Sequence, residues 1–229
     1  MTIGKLLCTA RFTMAALSSA LCYFASSYLE PILAQRLLEF NLSSMQIGLF
    51  FAIWSVTYIP AALASQMIPE RIDRRAVIIL SSVCCAVAFI FVGPSELLGF
   101  QDSLLLMGIG QGLVGIFVAL MMIPGLPEMV ESSLPLYPGQ ETEVNNLSSG
   151  IFNSFLGFGQ VLAPTYGSFV SEAVGFRLTA DIVAITCLVF AVVYFAIAGG
   201  PEAFKTLCSS AHLEDPTSQS DVYVRADTP

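Results

Sequence analysis

Residues 104–126 read LLLMGIGQGLVGIFVALMMIPGL, a run of 23 residues without a charged side chain. An α-helix rises about 1.5 Å per residue, so a run of this length reaches across the roughly 30 Å hydrocarbon core of a bilayer. Lipid offers no hydrogen-bond partner to a backbone amide, whereas a helix satisfies its amides internally. This run therefore predicts a transmembrane helix.

Five further apolar runs predict five more transmembrane helices. The six runs cover residues 12–37, 45–68, 76–92, 104–126, 147–170 and 178–198. Composition agrees, because 55% of the 229 residues are hydrophobic and 11% are charged, whereas an ordinary soluble domain carries about 25% charged residues. We therefore expect an all-α membrane protein with a six-helix domain over 12–200, an amino-terminal segment over 1–11 and a polar, disordered tail over 201–229.

The basic residues predict the orientation of these helices. With six crossings, two basic residues fall on one side of the membrane, Arg36 and Arg177. The other seven fall on the opposite side: Lys5, Arg11, Arg71, Arg74, Arg75, Lys205 and Arg225. Lys and Arg accumulate on the cytoplasmic side of membrane proteins. A multi-pass protein with both termini in the cytoplasm is expected, and this pattern does not distinguish an intracellular vesicle from the plasma membrane.

Composition also argues against several function classes. A net charge of −8 offers no basic patch for nucleic acid. The six cysteines lack the spacing of metal ligands, and the single histidine, His212, lies in the polar tail. The apolar runs contain no pair of nucleophile and base. We expect no metal, no cofactor and no enzymatic activity.

Glu30 is the most informative polar residue in the first run. A carboxylate within a transmembrane helix is costly and marks a substrate or ion pathway by default. The alternative is that the span ends near Glu30 and leaves the carboxylate at the far interface. Polar residues recur at spacings of three and four, which predicts one polar face that lines water or the bundle interior: Ser19, Tyr23, Ser26, Ser27 and Glu30.

Two other runs carry candidate binding groups. The fifth run has a polar stripe that includes Asn153 and Gln160, although such amides also simply hydrogen-bond to neighbouring helices. In the second run Trp54 and Tyr58 share a face and offer ring surfaces to a cation, although single aromatic residues usually only pack. Four glycines of the fourth run indicate close helix packing, or a bend that acts as a gate, rather than a nucleotide site: Gly108, Gly110, Gly112 and Gly115.

Several short strings occur in the order found in the carboxyl-terminal half of a major facilitator superfamily transporter, and they resemble the vesicular amine transporter family, its polyamine branch in particular. Residues 28–31, Tyr-Leu-Glu-Pro, resemble the Leu-Glu-Pro of the family's seventh helix. Residues 123–128 resemble the end of its tenth helix, and residues 162–167 resemble part of its eleventh. Residues 70–75 resemble the superfamily's basic cytoplasmic loop, with Asp73 in place of a glycine.

The resemblance implies one half of a twelve-helix bundle, corresponding to helices seven to twelve. It implies transport of a small organic cation, polyamine-like or amine-like, by exchange for protons, with a second six-helix half or a second copy completing the pathway. Together with the polar stripes, it predicts substrate contacts from six residues: Glu30, Asn153, Tyr58, Trp54, Tyr23 and Gln160. It also predicts a conformational latch at Glu70, Arg71, Arg74 and Arg75.

Two departures from that family limit the resemblance. The monoamine members of that family carry membrane-embedded aspartates at positions that correspond to one near Val118 and to Asn153 in this chain. Because those carboxylates are missing here, the monoamine scheme of proton coupling is not carried over. Replacement of the motif's glycine by Asp73 weakens the match to the latch motif. The alternative function is therefore a non-transporting membrane scaffold or assembly subunit that retained the helices.

Overall fold

The computed structural model describes residues 3–68, 72–96 and 98–204, and every regular element assigned within them is helical. The elements are α1 (Ile3–Leu7), α2 (Ala10–Ser27), α3 (Leu29–Glu39), α4 (Ser44–Gln66), α5 (Arg74–Val92), α6 (Leu104–Met122), α7 (Gly125–Ser133), a short 3₁₀ turn (Leu134–Leu136), α8 (Glu141–Val174) and α9 (Phe176–Ile197). The expected disordered tail lies outside the described residues from position 205 onward.

The chain departs from the predicted runs at two places. The first run forms two helices that meet at Tyr28, because Pro31 has no amide hydrogen to donate to the ladder. The segment between the fourth and fifth predicted runs is largely helical, as α7 and the beginning of α8. Helix α7 buries Glu128, Met129, Ser132 and Ser133, whereas Pro127 and Glu131 remain exposed. Such a short amphipathic helix escapes a search for long apolar runs.

Within the described part of the chain, five helical segments are long and apolar enough to cross a membrane: Ala10–Glu39, Ser44–Gln66, Arg74–Val92, Leu104–Leu136 and Phe176–Ile197. The fifth predicted run lies in α8, which has 34 residues and a more polar sequence. Helix α8 runs parallel to α2 and α3, since Gly159 lies against Ala20 and Gly167 against Tyr28. Helix α8 therefore extends across the same depth of the bundle as Ala10–Glu39, a segment long enough to cross a membrane. This supports the prediction of six crossings.

Contacts at the two ends of the bundle agree with an even number of crossings. At one end, Arg75 of α5 donates from Nη1 to the Ala198 carbonyl oxygen after α9 (3.0 Å), and Arg11 of α2 pairs with Glu128 of α7. At the other end, Arg177 of α9 donates to the Pro94 carbonyl oxygen (2.6 Å). We call these the Arg75 end and the Arg177 end. The beginning of α2 and the end of α9 share the Arg75 end.

Helix α6 lies between α4 and α5 at short distance. A Cβ atom on Gly115 would lie 2.6 Å from the Trp54 carbonyl oxygen of α4. A Cβ atom on Gly110 would lie 2.7 Å from the Phe91 carbonyl carbon of α5. Real Cβ atoms do not come so close to backbone atoms, so only glycine fits at these two positions. The predicted close packing of the glycine-rich run is confirmed.

Candidate functional site

A cavity of about 290 Å³ lies among α2, α3, α4, α6 and α8. Trp54 and Gln111 of its wall lie close to the middle of α4 and α6, so the cavity is near the middle of the bundle. It brings together five of the six predicted binding residues: Glu30, Tyr58, Trp54, Tyr23 and Gln160. Its other lining residues are Ser26, Ser27, Leu29, Phe51, Gln111, Val118 and Met122.

Glu30 occupies the first turn of α3, where the backbone amides favour a negative charge. Among the described residues that line the cavity, Glu30 alone carries a charge. The helix continues beyond it to Glu39, a distance of roughly 14 Å at the α-helical rise. The carboxylate therefore lies at the junction of α2 and α3, inside the longer helical segment Ala10–Glu39.

The break between α2 and α3 also affects the cavity wall. Pro31 lacks the amide hydrogen that would bond to the Ser27 carbonyl oxygen in a continuous helix. Ser27 and Glu30 both line the cavity. The sequence Glu30-Pro31 thus places a carboxylate beside an interrupted helix, an arrangement that is tolerated in membrane proteins where the backbone is buried or borders a cavity.

An aromatic pair forms the α4 side of the cavity. The Trp54 and Tyr58 rings are stacked, with centroids 4.9 Å apart and planes at 21°. The Tyr58 hydroxyl lies 3.5 Å from the Met122 sulfur of α6. Aromatic faces attract organic cations through the ring quadrupole, most strongly for tryptophan. A carboxylate and an aromatic surface in one cavity suit a ligand with a cationic group on an apolar body.

Gln111 is a lining residue that the sequence interpretation missed. It sits between Gly110 and Gly112, and only 4% of its surface is exposed. The glycines around it indicated packing, and packing is indeed what they provide. The available signal was chemical: Gln111 is the only amide side chain in the run 104–126. A buried amide in an apolar helix requires a partner.

Two predicted polar residues lie away from the cavity. Asn153 is exposed on α8, and its Nδ2 donates to the Ser149 carbonyl oxygen of the same helix (2.9 Å). It lies two turns from Gln160 toward the Arg75 end. Ser19, expected on the polar face of the first run, is fully buried, and its hydroxyl donates to the Ala16 carbonyl oxygen (2.6 Å). Ser19 faces the core because the cavity begins one turn further along α2, at Tyr23.

The predicted latch region forms part of a charged cluster at the Arg75 end. Arg74 pairs with Glu131 of α7. Arg75 binds Asp73 and the carbonyl group of Ala198. The remaining predicted latch residues, Glu70 and Arg71, lie outside the described residues. The described members tie α5 to α7 and α9, and their role in a conformational latch stays a prediction.

Asp73, which replaces the glycine of the family motif, has a structural role. Its side chain accepts a hydrogen bond from the Arg75 amide (2.9 Å) and caps the amino terminus of α5. Burial acts to raise the pKa of this carboxyl group, but the hydrogen bonds and charge of Arg75 outweigh burial and hold the pKa below its usual value. The departure from the motif is therefore accounted for by helix capping.

Comparisons with known proteins agree with this architecture. Residues 15–211 match the family model described as Major Facilitator Superfamily. Over 168 residues the chain is 26% identical to the human MFS-type transporter SLC18B1, an alignment that covers 71% of this chain and 36% of that protein. The chain thus spans about a third of the length of this curated relative. These matches confirm the resemblance inferred from the sequence strings, and the chain belongs to the Major Facilitator Superfamily.

Proposed function

We propose that this chain forms the substrate-binding half of a transporter that exchanges a small organic cation for protons. The observation that carries the proposal is the position of Glu30, the one charged residue among the described residues that line a cavity near the middle of the bundle. Major facilitator transporters bind their substrates near the bilayer midplane between two sets of helices. A carboxylate there attracts a cation, and an aromatic pair beside it holds the cation's apolar part.

The exchange follows from the chemistry of one carboxylate. A protonated Glu30 has no charge with which to hold an ammonium group, and an ionised Glu30 does. Cation and proton therefore compete for the same oxygen atoms, so that uptake of one accompanies release of the other. No second titratable group is needed among the described lining residues of this cavity.

The exposed surface beside the cavity supports a second body of helices as partner. Gln160 lines the cavity and is exposed, and Asn153 lies exposed two turns away on the same face of α8. Amide side chains facing lipid are unfavourable. In this proposal, a second six-helix half or a second copy of the chain covers that face, and the two bodies rock about Glu30 to give alternating access. The Arg75 end faces the cytoplasm, as its arginines predict.

The experiment is uptake into liposomes that contain the purified full chain. The probe is radiolabelled tetramethylammonium, whose permanent charge prevents passive entry as a neutral base. An acidic interior should drive uptake above that of protein-free liposomes. Glu30→Gln should reduce uptake to the protein-free level, because the variant cannot hold a charge at that position.

The matched control is Glu172→Gln, which removes an exposed carboxylate of α8 that lines a different cavity. This variant should transport as the original chain does. Uptake by Glu30→Gln equal to that of the original chain would overturn the role of Glu30. Uptake by the original chain equal to that of empty liposomes would overturn transport by two copies of this chain.

A further inference from the structure

Asp181 is a buried carboxyl group that lies outside the cavity lined by Glu30. It sits in the second turn of α9, inside a segment of membrane-spanning length, and only 4% of its surface is exposed. Asp181 lines neither the Glu30 cavity nor the cavity beside Glu172 at the Arg177 end. An ionisable side chain within a transmembrane segment is costly and indicates a function by default.

No basic side chain in the described part of the chain compensates Asp181. None of the ion pairs found there includes it. Arg177 precedes it by one turn of α9, but that guanidinium group donates to the Pro94 carbonyl oxygen (2.6 Å) and the Phe100 carbonyl oxygen (2.7 Å). Oδ2 of Asp181 also has no hydrogen-bond partner among the described residues. An ionised Asp181 would therefore be a buried charge without a counter-ion.

The Tyr28 hydroxyl is a second unpartnered polar group in the same part of the core. Tyr28 is fully buried, and its hydroxyl has no hydrogen-bond partner among the described residues. It interacts electrostatically with Asp181. Tyr28 joins α2 to α3, two residues before Glu30. Asp181 thus lies near the helix junction that carries Glu30, well inside the bundle.

The other titratable groups in this part of the core are thiols and a phenol, which are ordinarily uncharged at neutral pH. By helix, they are Cys22 of α2, Cys85 of α5, Tyr166 of α8 and Cys187 of α9. The basic residue of α3, Arg36, pairs with Asp102 instead. A single hydroxyl such as that of Tyr28 can donate one hydrogen bond, which does not compensate a full buried charge.

A proton is the cation that fits these surroundings. Among the described residues, no group of three or more His, Cys, Asp or Glu side chains could hold a metal ion. An organic cation needs a cavity, and Asp181 lies outside the two cavities nearest to it along α3 and α8. A proton binds to one carboxylate oxygen and removes the charge. The neutral acid also gains an O–H donor, and a tyrosine oxygen can accept from it.

We propose that Asp181 is a proton-binding site of this chain, separate from Glu30 and out of reach of the transported cation. In this folded state Asp181 is the neutral acid at neutral pH, with Tyr28 as its neighbouring polar group. Glu30 exchanges its proton for a cation, whereas Asp181 retains its proton. The proton site does not depend on the proposed function, and only its separation from the cation does.

The test is infrared spectroscopy of the purified full chain in detergent, with the side-chain carboxyl carbon of aspartate labelled with ¹³C. The label distinguishes aspartate from Glu128 and the other glutamates. An aspartate in water at pH 7 is ionised by about a thousand to one. The folded chain should nevertheless show the carbonyl band of one protonated aspartic acid. That band should vanish when sodium dodecyl sulfate unfolds the chain at the same pH, since water then solvates the carboxylate.

Two matched variants assign the band. Asp181→Asn should abolish it and keep the helical circular dichroism, because an amide resembles the neutral acid in shape and charge. Asp102→Asn should keep the band, since the Asp102 side chain is 36% exposed and paired with Arg36. Asp181→Asn should also bind hexylamine with an unchanged Kd, whereas Glu30→Gln should weaken this binding and keep the band.

Each outcome supports or overturns a specific claim. The absence of a protonated aspartate band in the folded original chain would overturn the inference without recourse to any variant, and it would leave the proposed function standing. A band that persists in Asp181→Asn would overturn it as well. Weakening of hexylamine binding by Asp181→Asn to the level of Glu30→Gln would overturn the separation of the two sites. If Glu30→Gln binds hexylamine as the original chain does, the proposed function fails and the proton site stands.

Discussion

Removal of the Arg11 side chain should destabilise the bundle far more than removal of Arg74, another arginine at the Arg75 end. Arg11 pairs with Glu128 at 2.7 Å, and the Glu128 side chain is 1% exposed. Without Arg11, that carboxylate has to be buried unpaired or take up a proton. The pair between Arg74 and Glu131 is different, because both side chains are substantially exposed, at 38% and 53%.

The magnitude follows from these exposures. Loss of one partner from a buried ion pair costs about 3–5 kcal/mol. Arg11 itself is 34% exposed, and water weakens the interaction on that side, so we expect a loss of about 2–3 kcal/mol for Arg11→Ala. For Arg74→Ala we expect about 0–1 kcal/mol, as for surface ion pairs in general.

The assay is the free energy of unfolding in detergent, followed by circular dichroism during titration with sodium dodecyl sulfate. The double variant Arg11→Ala with Glu128→Gln should recover part of the loss, since it no longer buries an unpaired carboxylate. Equal losses for Arg11→Ala and Arg74→Ala would refute this reasoning. A double variant less stable than Arg11→Ala alone would refute it as well.

Gly159→Ala should cost about 1–3 kcal/mol of unfolding free energy by overpacking, because the new Cβ atom would lie 3.0 Å from the Ala20 carbonyl carbon. Gly157→Ala, two residues earlier, has open space around it and should instead stabilise α8 by up to about 1 kcal/mol. The same unfolding titration compares the two variants. Asp73→Ala should cost about 1 kcal/mol at neutral pH by loss of the α5 cap. Since the folded state lowers the pKa of Asp73, the original chain should lose this increment as the pH falls through that lowered pKa, and the variant should not. Cys8 is exposed near the Arg75 end, and it should react with a membrane-impermeant maleimide only when the reagent reaches the cytoplasmic side. Labelling of Cys8 by reagent added outside intact cells would contradict the proposed orientation.

The crossings of this protein could be predicted from sequence because a bilayer imposes a length on every apolar helix. Five of the six predicted runs coincide with helices of membrane-spanning length and hydropathy. The remaining run, 147–170 in α8, required the parallel contacts of Gly159 and Gly167 with Ala20 and Tyr28 to establish its depth. Helix α7 was missed because its apolar face is short, and its burial depends on neighbours that no local pattern reveals.

The cavity was predictable where polar residues recur at helical spacing, as they do from Tyr23 to Glu30. It was not predictable where the rotation of one helix against another decides exposure. Gln111 faces the cavity because α6 is held between α4 and α5 by its glycines, whereas Asn153 shares a stripe with Gln160 but lies beyond the cavity. Side-chain spacing defines a face, and only the packed bundle shows which part of that face encloses a site.

The pH dependence of cation binding most directly tests the claim that Glu30 serves both cation and proton. The measurement is the Kd of hexylamine for the full chain, followed by Trp54 fluorescence at successively lower pH, where the amine itself stays fully charged. Competition for one carboxylate predicts that the Kd rises with falling pH toward a tenfold change per pH unit, and that Glu30→Gln binds weakly with no such dependence. A Kd that is independent of pH in the original chain, or the same pH dependence in Glu30→Gln, would contradict the account.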